Sequence, residues 1–195
     1  MKAKIIALEG IDKAGKTTQS KMLLSALLDR GIKTDIMEFP DRDNITGKMI
    51  NDFLANRHNY NHHLFHILMS ANRWEDERRI TDFIAENKVL IMNRYYQSNI
   101  IYGMCNGLPY DWLKNLDVGL PEPDVVIVIN VKSETSFERD VERDNFEANK
   151  KLIDMASQKY YEVGMPLNWK FVDGMKTKEE VHKSIMDIVE EVLSK

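Results

Sequence analysis

The chain has 195 residues, of which 43% are hydrophobic and 30% charged, and its formal net charge is −4 at pH 7. This composition is typical of a soluble globular protein and excludes a chain that is disordered throughout. The mild acidic excess argues against general affinity for nucleic acid. The longest aliphatic run, at residues 125–129, is too short to span a bilayer. A single cysteine, Cys105, allows no intrachain disulfide, so we expect a reducing, cytoplasmic location.

Strand-like and helix-like segments alternate along the chain, without a repeat or a linker between them. Short apolar runs predict five strands, at residues 4–8, 33–39, 89–92, 125–129 and 168–172. Helical periodicity predicts helices over residues 16–30, 46–56, 60–87, 95–105 and 177–194, and it leaves open a bend in the helix over residues 60–87. Thr177 and Glu180 predict a capping box at the start of the last helix. The alternation predicts one α/β domain over residues 1–195, with a five-stranded parallel sheet and helices on both faces.

A glycine-rich segment lies between the first predicted strand and the first predicted helix. It reads Gly10-Ile11-Asp12-Lys13-Ala14-Gly15-Lys16-Thr17 and matches the phosphate-loop pattern G-x-x-x-x-G-K-[ST]. Such a loop surrounds phosphate oxygens with backbone N–H groups at a helix N-terminus. Lys16 reaches the β- and γ-phosphates, and the Thr17 hydroxyl ligates Mg²⁺. The predicted phosphate contacts are Gly10, Ile11, Asp12, Lys13, Ala14, Gly15, Lys16, Thr17 and Thr18.

Three further segments place arginines where they can hold a second ligand. In Phe39-Pro40-Asp41-Arg42 the arginine can bind a phosphate while the ring packs on a base, or the segment is a plain turn. Asn72 and Arg73 can read a base edge, or their helix carries only surface ion pairs. Arg94 follows a buried strand, at the edge of the sheet where ligands bind.

These motifs occur together and in order in one family: the chain resembles thymidylate kinases over almost its whole length. The segments on which this resemblance rests are residues 9–19, 39–42, 70–75, 94–95 and 167–173. The resemblance implies a P-loop NTPase fold and ATP-dependent phosphorylation of dTMP to dTDP with Mg²⁺. It also implies a homodimer, because members of the family commonly pair through their helices.

The same resemblance implies roles for individual residues. Lys16, Arg94, Lys13 and Asp12 form the catalytic set, and Asp12 also contacts the acceptor sugar. The implied dTMP contacts are Asp12, Phe39, Arg42, Met69, Asn72, Arg73, Arg94, Ser98 and Tyr102. Tyr102 would select deoxyribose. A lid over the donor nucleotide is expected around residues 137–148, where Arg139 and Arg143 would contact ATP.

Two positions depart from the family pattern and keep alternatives open. Asn93 stands where the family has a metal-holding aspartate, which predicts either weaker metal binding or compensation by Glu9 and Asp12. It also leaves open a nucleotide-binding regulatory protein with weak turnover. Met69 replaces an aromatic residue that stacks on thymine, which leaves open a kinase for dUMP, dCMP or another monophosphate.

A cluster of histidines at residues 58–66 is a weaker candidate for function. His62 and His66 share a predicted helix face. We interpret them as solvated or partly buried side chains rather than metal ligands, because no cysteine or carboxylate partner accompanies them.

Overall fold

A computed structural model describes residues 3–55, 57, 60–86, 88–132 and 146–194. The strands are β1 (Lys4–Glu9), β2 (Thr34–Glu38), β3 (Val89–Asn93), β4 (Val125–Asn130) and β5 (Lys170–Asp173). The helices of the described part are α1 (Lys16–Asp29), α2 (Ile45–Leu54), α3 (His62–Glu75), α4 (Glu77–Ala85), α5 (Tyr96–Cys105), α6 (Tyr110–Asn115), α7 (Phe146–Gly164) and α8 (Lys178–Leu193). All five predicted strands are confirmed, with small differences at their ends.

The strands form one parallel sheet in the order β2-β3-β1-β4-β5. The central strand β1 pairs with β3 through Leu8 and Asn93, and with β4 through Glu9 and Val128. The chain leaves β1 toward β2 on one side and later reaches β4 on the other. Ligands of such sheets bind at this kind of reversal, outside the carboxyl ends of the strands. The glycine-rich loop follows β1 and lies at that edge.

Helices cover both faces of the sheet. The side chains of β1 from Ile5 to Glu9 are all buried, and because successive strand residues point to opposite faces, both faces are covered. Helix α1 packs against α8, and α5 packs against α7. The predicted capping box of α8 is confirmed, since Thr177 and Glu180 exchange hydrogen bonds. The predicted five-stranded α/β fold is therefore confirmed.

One helical prediction needs correction, and two helices of the described part, α6 and α7, were not predicted. The single helix predicted over residues 60–87 is divided into α3 and α4 at Asp76, whose N–H bonds the carbonyl of Arg73 over 3.2 Å and tightens the last turn of α3. Helix α7 was not predicted, although its buried Ile153, Ala156 and Tyr160 follow a helical spacing.

Part of the predicted lid cannot be compared with the fold. Residues 137–145, with Arg139 and Arg143, lie outside the described residues, and residues 146–148 begin α7. Within the described part, no helix combines the length and the apolarity that a membrane span needs.

Candidate active site

The loop between β1 and α1 has the shape that phosphate binding needs. Gly10 has φ 136°, and a Cβ at this position would lie 2.6 Å from the carbonyl oxygen of Ile129, so only glycine fits. A recess of about 450 Å³ beside the loop is lined by Lys13, Gly15, Lys16, Thr17 and Thr18. The free N–H groups of the first turn of α1 give the recess a partial positive charge that attracts an anion.

Lys16 lies beneath this loop and is almost fully buried. Its Nζ donates to the carbonyl oxygens of Ile11 at 2.7 Å and Gly10 at 3.2 Å. Burial, and then the nearby charge of Arg94, lower the pKa of Lys16 to about 7. A phosphate anion at the loop would favour the charged form of this lysine again, so phosphate binding is coupled to its protonation.

Arg94 connects the loop to the neighbouring strand. It follows β3 with φ 65°, a conformation that costs a non-glycine residue free energy and is kept where its surroundings fix it. Its Nη1 donates to the carbonyl of Gly10 at 3.0 Å and to Ser98 Oγ at 2.8 Å, and its Nη2 pairs with Asp12 at 2.5 Å. The Arg94 guanidinium holds the pKa of the Asp12 carboxyl below its ordinary value.

A second recess, of about 550 Å³, lies on the β2 side of Arg94. It brings together four predicted site residues, namely Asp12, Phe39, Arg42 and Arg94, with Asp76 and Arg79 from the junction of α3 and α4. Arg42 lines the recess, and its Nη1 donates to Asn51 Oδ1 at 2.5 Å. Sequence reasoning missed Asp76 and Arg79, because their placement depends on the break between two helices that it treated as one.

Asn72 is engaged within the protein, and its contact with a base stays a prediction. Its side chain is completely buried, with the amide engaged by the loop that follows Phe39. The Oδ1 atom accepts from the Asp41 N–H at 2.7 Å, and Nδ2 donates to the Asp41 carbonyl at 2.9 Å and to Asn44 Oδ1 at 2.7 Å. These bonds use both Nδ2 hydrogens and one lone pair of Oδ1, so only the second Oδ1 lone pair is left for a base edge. Asn72 fixes the loop that carries Arg42.

Arg73 is buried against a partner that sequence reasoning missed. Only 1% of its side chain is exposed, and it forms a forked pair with Asp117 through Nε at 2.9 Å and Nη2 at 2.7 Å. Ser70 Oγ donates to the same carboxylate at 2.9 Å. Two of its three nitrogens therefore serve the protein, and a base contact would use Nη1. The base-reading role of Arg73 stays a prediction.

The predicted metal position lies where α1 meets β3. Asn93 is buried, and its Nδ2 donates to the hydroxyl of Thr17 at 3.0 Å. Thr17 is exposed and lines the phosphate recess. Glu9 cannot replace the missing carboxylate, because it is fully buried and its two oxygens already accept from Tyr95, Ser98 and Tyr160. Asp12 is paired with Arg94. Thr17 thus offers a metal a neutral oxygen, while the carboxylates of Glu9 and Asp12 are engaged in other bonds.

The remaining predicted residues take different places. Ser98 is buried beside Glu9 and Arg94. The ring of Tyr102 lies 5.6 Å from the Arg94 guanidinium. Met69 is half-buried on α3. Within the described ranges, no group of three or more His, Cys, Asp or Glu side chains is arranged to hold a metal. His66 is buried and bonded to Asn99 and Asn106 instead.

A phosphate loop at the centre of a parallel sheet, joined by one arginine to a second recess, defines a P-loop nucleotide kinase. The family can be stated as well. A family model described as thymidylate kinase matches residues 8–185, and the chain belongs to that family.

Individual relatives agree with this assignment over most of the chain. The thymidylate kinase of Danio rerio is 36% identical over 97% of this chain and 91% of that protein. The thymidylate kinase of Homo sapiens is 32% identical over the same shares. A solved thymidylate kinase structure from Candida albicans, described as revealing the origin of that enzyme's broad substrate specificity, superposes with a TM-score of 0.86 at 27% identity, covering 97% of this chain and 92% of that one.

Proposed function

We propose that the protein is a thymidylate kinase, an enzyme that transfers the γ-phosphoryl group of ATP to dTMP and forms dTDP. The observation that carries this proposal is Arg94, whose guanidinium contacts both the phosphate loop at Gly10 and the second recess beside Asp12. A donor phosphate on the loop and an acceptor phosphate in the recess would meet at this group. Membership of the thymidylate kinase family supports the same donor and acceptor.

The acceptor occupies the recess between the loop and the Phe39–Asp43 segment. Phe39 borders the base, Arg42 and Arg94 hold the acceptor phosphate, and Arg73 meets the base edge through Nη1. Asp12 contacts the sugar, and Tyr102 and Ser98 close the recess from α5. Holding the acceptor phosphate in line with the donor removes most of the entropic barrier, because phosphoryl transfer needs little covalent help from the protein.

The donor occupies the phosphate loop. The N–H groups of residues 13–18 surround its phosphates, Lys16 neutralises the β- and γ-phosphates, and Lys13 and Arg94 offset charge on the transferring group. Mg²⁺ fits the Thr17 hydroxyl, because this ion prefers oxygen ligands and keeps phosphates and waters as most of its shell. When bound, it would neutralise charge between the phosphates. Contacts from Arg139 and Arg143 stay predictions, as does the cytoplasmic location.

We also propose that two copies of the chain pair through one surface. This surface, named here the α2–α3 face, consists of exposed apolar side chains: Ile45, Met49, Leu64, Ile67, Trp74 and Val118. Leu64, Ile67 and Trp74 form one stripe along α3, and Ile45 is 73% exposed on the adjacent α2. An apolar stripe of this extent marks a protein interface, and a self-complementary face gives a symmetric dimer.

The acceptor is tested by ADP release with Mg-ATP and a panel of dTMP, dUMP, dCMP, dGMP and AMP. Turnover strongest with dTMP is expected. Turnover strongest with another monophosphate would overturn the assignment of dTMP as the acceptor. Nucleotide binding without turnover would overturn the assignment as a kinase.

The dimer is tested by light scattering behind size exclusion. The wild type should have twice the chain mass, and Ile67→Asp should have the mass of one chain. Leu28→Asp, which places the same charge on exposed α1, is the control and should stay dimeric. A monomeric wild type would contradict the dimer.

A further inference from the structure

Glu9 at the end of β1 organises a buried network that the catalytic roles above do not use. Its carboxylate is fully buried and accepts four hydrogen bonds. Oε1 accepts from the N–H groups of Tyr95 at 2.8 Å and Ser98 at 3.3 Å. Oε2 accepts from Ser98 Oγ at 2.5 Å and from the Tyr160 hydroxyl at 2.9 Å. A buried carboxylate needs donors of this number, because each unmet oxygen carries a desolvation cost.

Tyr160 is the member of this network that comes from α7. Its side chain is 2% exposed, and its hydroxyl lies 3.1 Å from Ser98 Oγ and 3.4 Å from the carbonyl of Gly10 in the phosphate loop. Burial raises the pKa of Tyr160 well above its ordinary value, so the hydroxyl stays protonated. It therefore donates a hydrogen bond to Glu9. One phenol therefore bridges α7, β1, α5 and the first residue of the phosphate loop.

The network ends on Arg94. Ser98 Oγ donates to Glu9 and, with its lone pair, accepts from Arg94 Nη1 at 2.8 Å. The same Nη1 reaches the Gly10 carbonyl, which Tyr160 also approaches. The bonds from Nη1 to Ser98 Oγ and to the Gly10 carbonyl hold the Arg94 guanidinium in its direction.

We propose that Tyr160 is a positioning residue for phosphoryl transfer, which fixes Arg94 between the two phosphates by holding Glu9 and Ser98. The inference rests on the proposed function. Tyr160 touches neither nucleotide: its hydroxyl keeps the Glu9 carboxylate in place, the carboxylate orients the Ser98 hydroxyl, and that hydroxyl orients Arg94 Nη1. Arg94 stabilises charge that is greatest in the transition state, so displacing it lowers kcat more than it changes substrate binding.

The test is Tyr160→Phe, which removes one oxygen and keeps the ring packed near Trp169, 6.4 Å away between centroids. We expect kcat with Mg-ATP and dTMP to fall about tenfold, the lower end of the effect of losing one hydrogen bond to a charged group. Both KM values should stay within about twofold. The matched control is Tyr161→Phe, because Tyr161 is the next residue, 40% exposed, and stacks on Phe171 instead. Its kcat should not change.

A double-mutant cycle with Ser98→Ala separates positioning from general loss of stability. If both residues act through Arg94, the loss in kcat for the double variant is smaller than the product of the single losses. A kcat for Tyr160→Phe within twofold of the wild type, a multiplicative double variant, or a loss that vanishes at low temperature where all variants are folded would each overturn the inference. A wild type without dTMP turnover would overturn the proposed function instead, so the two failures are distinguishable.

Discussion

The side-chain amide of Asn93 at the end of β3 donates a hydrogen bond to the Thr17 hydroxyl at the start of α1, over 3.0 Å. The bond joins the strand to the loop at the position where Mg²⁺ would bind. An amide keeps the geometry of a carboxylate but carries no charge, so it orients Thr17 without attracting the metal.

Asn93→Asp should therefore tighten metal binding. The new carboxylate adds a negative charge next to the Thr17 oxygen, and we expect the dissociation constant for Mg²⁺ in the presence of ADP to fall about threefold to tenfold, a change of roughly 0.7–1.4 kcal/mol. Calorimetric titration of metal into the ADP complex measures this. Asn130→Asp is the control, because it places the same charge at the end of β4. Unchanged or weaker Mg²⁺ binding in Asn93→Asp would show that the amide at this position does not weaken metal binding.

The pKa of Lys16 predicts that ATP binding takes up a proton. The pKa is lowered to about 7 by burial and by Arg94, so above pH 7 the lysine is increasingly neutral. ATP phosphates favour the charged lysine and raise its pKa in the complex. The affinity for ATP should consequently be greatest at or below pH 7 and fall as the pH rises, by at most about tenfold per unit.

Calorimetry of ATP binding at pH 8.5 in two buffers of different ionisation enthalpy measures this proton directly. The wild type should take up close to one proton, whereas Lys16→Arg should take up almost none, because a guanidinium stays charged at that pH. Equal heats in the two buffers for the wild type would contradict the lowered pKa.

Arg73→Ala should impair use of dTMP far more than binding of ATP. The KM for dTMP should rise about tenfold to a hundredfold, as expected for losing one charged hydrogen bond of roughly 1.5–3 kcal/mol. The buried carboxylate of Asp117 loses its ion pair and keeps the Ser70 hydroxyl, so the free energy of unfolding should also fall by about 3–5 kcal/mol. Exposed Arg78→Ala is the control for both measurements.

Discrimination between bases separates the two roles of Arg73. Its N–H groups favour a base with a carbonyl, such as thymine, over cytosine, which carries an amine at that position. The ratio of kcat/KM for dTMP to that for dCMP should therefore fall in Arg73→Ala. An unchanged ratio, with ATP binding impaired as much as dTMP use, would leave Arg73 with a structural role alone.

Local patterns predicted most of the fold and the donor half of the site. The apolar runs of β1, β3 and β4 and the spacing from Gly10 to Thr17 are properties of neighbouring residues, so they can be read without the fold. The capping box of Thr177 and Glu180 is local in the same sense.

The remaining features depend on contacts between residues that are distant in the chain. The sequence did not predict that Arg73 is paired with Asp117, because Asp117 lies on a separate segment. Tyr160 reaches Glu9 because α7 packs on α5, and Tyr160 lies in no motif that the sequence shows. Asn72 could not be assigned for the same reason, since its partners Asp41 and Asn44 follow another strand.

Asn72→Ala should loosen the loop that carries Arg42. The substitution leaves the Asp41 N–H and carbonyl without their partner, and each unmet buried group costs about 1–3 kcal/mol, so the free energy of unfolding should fall by roughly 2–4 kcal/mol. The KM for dTMP should rise about tenfold while the affinity for ATP stays unchanged, since the phosphate loop is untouched. Asn61→Ala, which removes the N-cap of α3, is the matched control: it should cost about 0.5–2 kcal/mol and leave the KM for dTMP unaltered. Equal effects of the two variants on that KM would mean that the loop is held by something other than Asn72.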